Sequence, residues 1–298
     1  MADTALPMVL VKRKRRPEEV AQRVLLNATI ILIVVLWTIP TLGLLVSSFR
    51  TPQAINSSGW WSAVFNPVTQ GFWTLENYRS VLTTDRMGTA FLNSLLVTIP
   101  ATVIPITIAA FAAYALAWMR FMGRRLLFVL VVGLMVVPLQ TSLLPLFRLY
   151  NDTGLAGTYL GIWLAHTGFG LPLATYLLYG YISQIPRDLI EAAEVDGTTP
   201  MTKFIFLVLP VSVPAIASFA IFQFLWVWND LLVALIFLGT RVDVAVVTTR
   251  LSELVGSRGQ AWHVLTSGAF LTMIMPLAVF FGLQRYFVRG MMAGSVKG

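Results

Sequence analysis

The 298-residue chain is 57% hydrophobic and only 11% charged, whereas soluble domains are roughly 45–50% apolar and about 25% charged. So little charge cannot cover a surface in water, and the composition therefore excludes an ordinary soluble protein and predicts a membrane protein. The chain has no cysteine, which excludes disulfide scaffolds, thiol catalysis and cysteine-based metal sites. Its only histidines are His166 and His263, so we predict no metal site. The net charge of +8 would also suit a nucleic-acid-binding protein, and the positions of the charges decide that question.

Six apolar stretches are each long enough to cross the hydrocarbon core as a helix, which takes about 20 residues. They lie at about 24–48, 89–118, 126–147, 160–182, 207–239 and 262–287. A helix satisfies its own backbone hydrogen bonds, and the alternating pattern of a barrel is absent. We therefore predict an all-α membrane protein with six transmembrane helices, the first of which is an uncleaved anchor.

A basic segment before the first span predicts the orientation of the chain. It contains six lysines and arginines, namely Lys12, Arg13, Lys14, Arg15, Arg16 and Arg23. With this segment in the cytoplasm, 14 of the 21 lysines and arginines fall in cytoplasmic segments, as the positive-inside rule requires. We therefore predict that both termini are cytoplasmic and that the chain has no nucleic-acid partner.

The predicted layout is one membrane domain with two short ends. A basic N-terminal segment (1–23) precedes the six-helix domain (24–288), and a C-terminal tail (289–298) follows it. The outer loop at about 50–88 contains several aromatic residues, namely Trp60, Trp61, Trp73 and Tyr78. Such residues anchor loops in the membrane interface, and the alternative is a docking surface for an extracytoplasmic partner.

The inner loop at about 183–206, here called the coupling loop, carries the clearest local signals. Pro186 suits the first turn of a helix, and Asp188 is favourable beside the positive end of that helix. Gly197 can adopt the left-handed conformation that ends it after about ten residues. Thr199 then caps a second helix, which begins with Pro200 and continues into the fifth span. The pattern predicts two helices that meet at a tight turn around Gly197.

The first helix of the coupling loop has the surface of a docking element. Ala192 and Ala193 form a small-residue patch, and Leu189 and Ile190 add apolar bulk. Its polar edges are formed by Arg187, Asp188, Glu191, Glu194 and Asp196. Such a helix can lie in a groove on another protein. The alternative is a solvated connector between two spans, and the residues alone leave both interpretations open.

The same residues resemble a known family. Glu191-Ala192-Ala193, Gly197 and Leu209-Pro210 are spaced as in the EAA motif of ATP-binding-cassette importer permeases, with Leu207 where isoleucine is usual. Further segments resemble the carbohydrate-uptake branch, especially the smaller permease of maltose-type transporters: 112–123, in which Trp118 replaces a frequent arginine, 228–230 and 293–298. The resemblance runs from about residue 89 to the end.

The resemblance implies the permease subunit of an ATP-driven sugar importer in a prokaryotic cell (inner) membrane. Such a subunit pairs with a second related permease, two ATP-binding-cassette ATPase subunits and an extracytoplasmic sugar-binding protein. ATP and Mg²⁺ bind to the ATPases, so this chain is expected to hold no cofactor and not to be an enzyme. In agreement, the chain has no Gly-x-x-x-x-Gly-Lys-Ser/Thr loop with which to bind a nucleotide.

The resemblance also assigns roles to particular residues. The helix of the coupling loop would seat in a cleft of an ATPase subunit, and the coupling element would comprise Glu191, Ala192, Ala193, Asp196 and Gly197. The tail would reach the paired ATPases through Gly294, Ser295, Val296, Lys297 and Gly298. The alternative for the tail is a frayed terminus.

Polar residues inside the spans are candidates for a sugar pathway. Gln223, Trp226 and Asp230 share one face of the fifth span by spacings of three and four, and Gln140 on the third span could join them. A polar group, an indole and a carboxylate suit a sugar. The alternative is that Gln223 and Asp230 bond neighbouring helices and Trp226 only packs. We expect His166 and His263 to be interfacial, and prolines within spans to be tolerated where neighbouring helices bond the freed carbonyls.

Other functions remain as alternatives. The same machinery could carry another polar solute, such as a glycerol phosphate or a compatible solute. An ion-coupled secondary transporter would show paired repeats or charges near the membrane midplane, and neither is evident. An intramembrane enzyme is disfavoured because no His-Glu-x-x-His or Gly-x-Ser-x-Gly pattern occurs.

Overall fold

A computed structural model describes residues 17–69, 72–84, 86–257 and 262–293. The helices of this part are α1 Pro17–Ser48, α2 Pro52–Ser57, α3 Trp60–Phe65, α4 Glu76–Thr83, α5 Met87–Trp118, α6 Arg124–Gly133, α7 Leu139–Asp152, α8 Tyr159–Ile182, α9 Arg187–Val195, α10 Pro200–Lys203, α11 Leu209–Trp228, α12 Leu232–Phe237, α13 Val247–Ser257 and α14 Trp262–Ala293. A 3₁₀ turn (Leu134–Val136) follows α6, and a π-helical turn (Phe204–Val208) joins α10 to α11. Extended pairing among the described residues is limited to one bridge between Arg50 and Trp73, so the all-α prediction is confirmed.

All six predicted spans are helical, but they are not equally suited to cross a membrane. Among the described residues, four helices are long and apolar enough, namely Ala21–Ser48, Met87–Trp118, Pro200–Asn229 and Trp262–Arg285. The segments Arg124–Val136 and Leu139–Asp152 make a fifth if they cross as one bent span. The predicted fourth span is the 24-residue α8, which is not in that set. The count of six, the cytoplasmic termini and the domain boundaries therefore remain predictions.

The predicted third span is not straight. Its two halves, 124–136 and 139–152, are bent by 101° at the break between them. Val137 is extended, with ψ of 117°, and Pro138 follows it. A proline disfavours the helical conformation of the residue before it and lacks an N–H for the helix ladder, so the chain turns here.

The predicted fifth span extends beyond the residue at which the helix ends in the structure. The helix was expected to run through 207–239, but α11 ends at Trp228 and a separate short helix begins at Leu232. The carboxylate of Asp230 accepts hydrogen bonds from the backbone N–H groups of Val233 (3.3 Å) and Ala234 (3.0 Å). Asp230 thereby caps the first turn of α12, so it does not continue the helical face of Gln223 and Trp226.

The core is built around α5. Its C-terminal half packs with α8 and the coupling loop in an apolar cluster that contains Ala109, Ala113, Ala174 and Leu178, each with an exposed fraction of 0%. Two further clusters join the N-terminal half of α5 to α8 and α12, and to α11 and α14. Small residues let membrane helices approach closely, so alanines hold α5 against α8.

The outer loop between α1 and α5 folds around a buried arginine. The Arg50 side chain is 1% exposed, and its guanidinium donates to the carbonyls of Ala54 (2.9 Å) and Ser58 (3.0 Å) and to Ser58 Oγ (2.6 Å). Asn77 of α4 donates to the carbonyls of Ser48 and Arg50. These bonds hold α2 and α4 against the end of α1. Trp61 and Trp73 remain 57% and 51% exposed.

Candidate functional site

The coupling loop has the predicted two-helix geometry. Helix α9 spans nine residues, and the N–H of Gly197 donates to the Glu194 carbonyl (3.0 Å) with φ of +71°. Thr198 closes the turn on the Ala193 carbonyl through its N–H (3.2 Å) and its hydroxyl (2.5 Å). A positive φ satisfies the last carbonyls of a helix, and glycine adopts it without steric cost. The turn at Gly197 is thus fixed by local chemistry.

The second helix starts as the sequence predicts. The hydroxyl of Thr199 accepts from the N–H of Thr202 (3.2 Å), and Pro200 occupies the first turn. Helix α10 then passes through the π-helical turn into α11 without leaving helical conformation. Pro210 cannot donate to the carbonyl four residues before it, and the π-helical turn lies where that bond is missing. The coupling loop is therefore continuous with a long membrane helix.

One side of α9 is anchored to the bundle. Ile190 is 5% exposed and lies in the same apolar cluster as Ile185, Tyr114 and Phe204. Next to it, the ammonium of Lys203 lies 2.6 Å from Glu194 Oε1, and the side chain of Lys203 is only 9% exposed. The ion pair joins α9 directly to α10. The ion pair therefore ties α9 to the start of the helix that continues into α11.

The opposite side of α9 is open. By helical spacing, Asp188, Ala192 and Val195 face away from Ile190, and all three are exposed, Val195 to 88%. Glu191 and Leu189 flank this outward face and are exposed as well. Small and apolar residues edged by carboxylates form a surface that fits a groove on a partner protein.

The predicted sugar-pathway residues have different environments. Gln223 is 3% exposed, and its Nε2 donates to the Ala101 carbonyl of α5 at 3.1 Å. Gln140 is exposed in the first turn of α7. Asp230 caps α12, as described above. For Gln223 and Asp230 the contacts therefore match the alternative interpretation, in which they bond neighbouring backbone.

Trp226 has a different environment. It lines a cavity of about 610 Å³ between the bent 124–152 segment and α8. His166 meets the Trp226 ring edge-on at 5.4 Å and lies 3.9 Å from an Asp230 oxygen. His166 is 1% exposed, so it lies inside the bundle and not at the interface where we expected it. The cavity is lined by Leu134, Met135, Val137, Pro138, Leu139, Ser142, Leu146, Tyr150, Leu164, Ala165, Gly168, Phe169, Pro172, Leu173 and Trp226.

Comparison with known proteins places the chain in a family. The family model described as "Binding-protein-dependent transport system inner membrane component" matches residues 105–293, more than half of the chain. The chain belongs to this family. The predicted membership of the ATP-binding-cassette importer permeases is thereby confirmed.

Two relatives match almost the whole permease. It is 60% identical to the osmoprotective compounds uptake permease protein GgtD of Synechocystis sp., with 95% of each chain covered. It is 44% identical to the alpha-glucoside transport system permease protein AglG of Rhizobium meliloti, with 91% of this permease and 96% of the relative covered. The permease is therefore the membrane component of an importer, and the ATPase is a separate subunit.

A solved structure shows the same fold. The permease is similar to a chain of a bacterial transporter involved in the import of the acidic polysaccharide alginate, with a TM-score of 0.72 and 19% identity over 92% of the permease and 99% of that chain. The alginate transporter in complex with an alginate pentasaccharide-bound periplasmic protein matches with a TM-score of 0.64. Family and fold identify an integral protein of the bacterial inner membrane that works within a transporter assembly.

Sequence reasoning missed one contact within the permease's coupling loop and one directly before it. The Glu194–Lys203 pair joins residues nine positions apart across a turn, outside the three- and four-residue spacings by which helix contacts are found. Trp118, which stands where the family often has arginine, donates its indole N–H to the Ile182 carbonyl at 3.0 Å. The tail residues 294–298 and the basic residues 12–16 lie outside the described residues.

Proposed function

We propose that this permease forms half of the translocation pathway of an ATP-driven sugar importer. We also propose that α9 is the helix to which an ATPase subunit binds. The observation that carries the proposal is the two-sided environment of α9. Its Ile190 side is fixed in the bundle, while its Ala192 side is open to a partner. A connector that only spaces two spans has no need of an ion pair between Glu194 and a nearly buried Lys203.

Coupling then works as a rigid-body transmission. When two ATPase subunits close on ATP, a cleft that holds Glu191, Ala192 and Ala193 carries α9 along. Asp196 and Gly197 maintain the conformation of the turn that ends α9. The Glu194–Lys203 pair and Ile190 pass the displacement to α11. The helices of the bundle then tilt between inward-facing and outward-facing states.

The assembly that we propose has four protein partners around this permease. A second homologous permease completes the pathway, two ATP-binding-cassette ATPases bind ATP and Mg²⁺, and an extracytoplasmic binding protein delivers the sugar, with membrane lipid around the spans. The family description, which names binding-protein-dependent transport, supports the binding protein. We also propose that the tail from Gly294 to Gly298 contacts the ATPases.

The cargo that we propose is a neutral sugar of the α-glucoside type. The cavity beside Trp226 carries no charged residue in its lining, whereas an anionic cargo needs a positive partner inside the membrane. The lining includes the aromatic rings of Trp226 and Tyr150, a residue type that suits the apolar side of a sugar, and the hydroxyl of Ser142. The alpha-glucoside relative supports this class. A glycerol phosphate fits the uncharged lining poorly.

A second candidate is a neutral osmoprotective solute. It is favoured by the 60% identity to a permease for osmoprotective compounds. Sugars and polyhydroxylated neutral osmoprotectants share hydroxyl groups and lack net charge, so one cavity suits both. Competition for uptake between maltose and such a solute would separate the two cargoes, because the better cargo inhibits at the lower concentration.

The test is uptake by the reconstituted complex in vesicles. We expect uptake of radiolabelled trehalose, sucrose or maltose to require ATP on the ATPase side. Glu191→Lys should keep the complex in the membrane but abolish ATP-driven uptake, because a cation replaces a carboxylate at the proposed docking face. Arg125→Glu, an exposed charge reversal at the start of α6, is the matched control and should transport normally. Normal uptake by Glu191→Lys contradicts the coupling role.

A further inference from the structure

Among the described helices, α1, α5, α7, α8, α11 and α14 contain prolines, and three of these prolines free a carbonyl that a side chain of another helix bonds. Pro100 and Pro105 lie inside α5, and Pro276 lies inside α14. In a helix the N–H of each residue donates to the carbonyl four positions earlier, and proline has no N–H. The carbonyls left without this partner are those of Leu96, Ala101 and Thr272. Each is a point at which a helix can bend.

Each of these three carbonyls receives a side-chain donor from another helix. Trp163 Nε1 of α8 donates to Leu96 at 2.9 Å, and Gln223 Nε2 of α11 donates to Ala101 at 3.1 Å. Trp228 Nε1, also of α11, donates to Thr272 of α14 at 3.1 Å. An unpaired carbonyl in a membrane interior is costly, so each bond stabilises the proline-containing helix. It also ties that helix to a neighbour.

The hydrogen bond between Gln223 and the Ala101 carbonyl lies beside a glycine of α8. Gln223 is buried, and a Cβ added to Gly170 of α8 would lie 2.7 Å from its Nε2. Gly170 is therefore the residue that leaves room for the Gln223 amide between α8 and α5. Three helices meet at this one hydrogen bond.

We propose that Gln223, Trp163 and Trp228 are positioning residues that make α5, α8, α11 and α14 move as one body during transport. The inference rests on the proposed function, because the movement enters through α11 from the coupling loop. Two of the three bonds start on α11 and end on α5 and α14. The third bond extends the same body from α5 to α8. Uptake is lost when α11 moves without the others.

The test separates two effects of the Gln223 side chain: it bonds the Ala101 carbonyl, and it links α11 to α5. Gln223→Leu removes both. Adding Pro105→Ala to Gln223→Leu supplies a new N–H at residue 105, which can bond the Ala101 carbonyl within α5, so the carbonyl is satisfied while the link to α11 stays broken. We expect this double variant to recover the melting temperature of the complex but to keep low uptake per ATP hydrolysed. Coupling between two sites is typically about 5–150-fold, so the loss should be at least about fivefold.

The wild-type complex and Pro105→Ala alone are the controls, with binding protein and radiolabelled trehalose, sucrose or maltose as probes. Wild-type uptake per ATP in the double variant overturns the positioning role. Absence of ATP-driven uptake by the wild-type complex overturns the proposed function itself, so the two failures are distinguishable.

Two further pairs decide the matter if the Gln223 variants do not assemble. Trp163→Phe with Pro100→Ala, and Trp228→Phe with Pro276→Ala, keep an aromatic ring, remove the indole donor and supply an N–H for the freed carbonyl within its own helix. Gly170→Ala displaces the Gln223 amide without changing donor or acceptor, and it should lower uptake per ATP as Gln223→Leu does. Normal coupling in both tryptophan pairs and in Gly170→Ala refutes the inference.

Discussion

Gly197 holds the backbone conformation on which the coupling loop depends. Its φ of +71° lies in the left-handed region, which proline cannot enter because its ring fixes φ near −65°. We expect Gly197→Pro to open the turn between α9 and α10 and to reduce uptake per ATP hydrolysed by at least about fivefold. The measurement is paired ATPase and uptake rates in proteoliposomes.

Gly197→Asn is the matched control for this variant. Asparagine tolerates the left-handed region better than other residues with a Cβ atom, so its turn should survive. Nothing lies within 4 Å of the position that a Cβ would take at Gly197, so the added side chain finds open space. Equal transport by the proline and asparagine variants would show that this conformation is irrelevant to coupling.

The Glu194–Lys203 pair is asymmetric, and its two single variants should differ. The Lys203 side chain is 9% exposed, whereas that of Glu194 is 58% exposed. Glu194→Ala leaves a buried ammonium without a partner, a loss of about 1–3 kcal/mol in the free energy of unfolding. Lys203→Met keeps the aliphatic stem in the cluster and leaves Glu194 in water, where exposed carboxylates cost little.

Thermal denaturation of the purified complex measures this asymmetry. We expect the melting temperature to fall more for Glu194→Ala than for Lys203→Met. The exchange of both residues (Glu194→Lys with Lys203→Glu) should not restore the wild-type value, because it buries the carboxylate instead. The opposite order of the single variants would contradict the view that the nearly buried ammonium of Lys203 depends on Glu194 as its partner.

At the scale of elements, Arg50 organises the outer segment. Burial lowers the pKa of its guanidinium from the ordinary value, and the described residues supply no carboxylate beside it, only the carbonyls and hydroxyl of α2 and its cap. Arginine presents these donors as a rigid planar fork, which lysine cannot reproduce. Arg50→Lys should therefore loosen α2 and α4 even though the positive charge is kept.

Limited proteolysis of right-side-out vesicles tests this expectation. Cleavage between residues 50 and 84 should be several-fold faster in Arg50→Lys than in wild type. Arg79→Lys is the control, because Arg79 is exposed and only pairs with exposed Glu76 at 4.0 Å. Similar cleavage of both variants would contradict an organising role for Arg50.

The elements of the coupling loop were predictable because local chemistry determines them. Gly197, Thr199 and Pro200 specify an end and a start of helix within a few residues. The break after Trp228 was missed because apolar residues continue beyond it and hydropathy does not register the capping role of Asp230. The bond between Gln223 and Ala101 joins residues 122 positions apart, so no periodicity could reveal it.

At the scale of the whole molecule, the number of crossings decides whether α9 faces the ATPases. With six spans the loop between α7 and α8 is extracytoplasmic and the coupling loop is cytoplasmic. If the segments bent by 101° form a re-entrant hairpin instead of a span, both loops change their relation to the membrane. Composition alone does not determine the number of crossings, because α8 is not among the four helices that are long and apolar enough to cross a membrane.

The chain has no cysteine, so single introduced cysteines report topology without background. Thr153→Cys lies after α7 and Gln184→Cys lies after α8, both at exposed positions. In intact cells opened only at the outer membrane, a membrane-impermeant maleimide should label Thr153→Cys and leave Gln184→Cys unlabelled until the inner membrane is permeabilised. Labelling of both from outside would place α9 on the wrong face for a cytoplasmic ATPase. Protection of both would show that α8 does not cross the membrane.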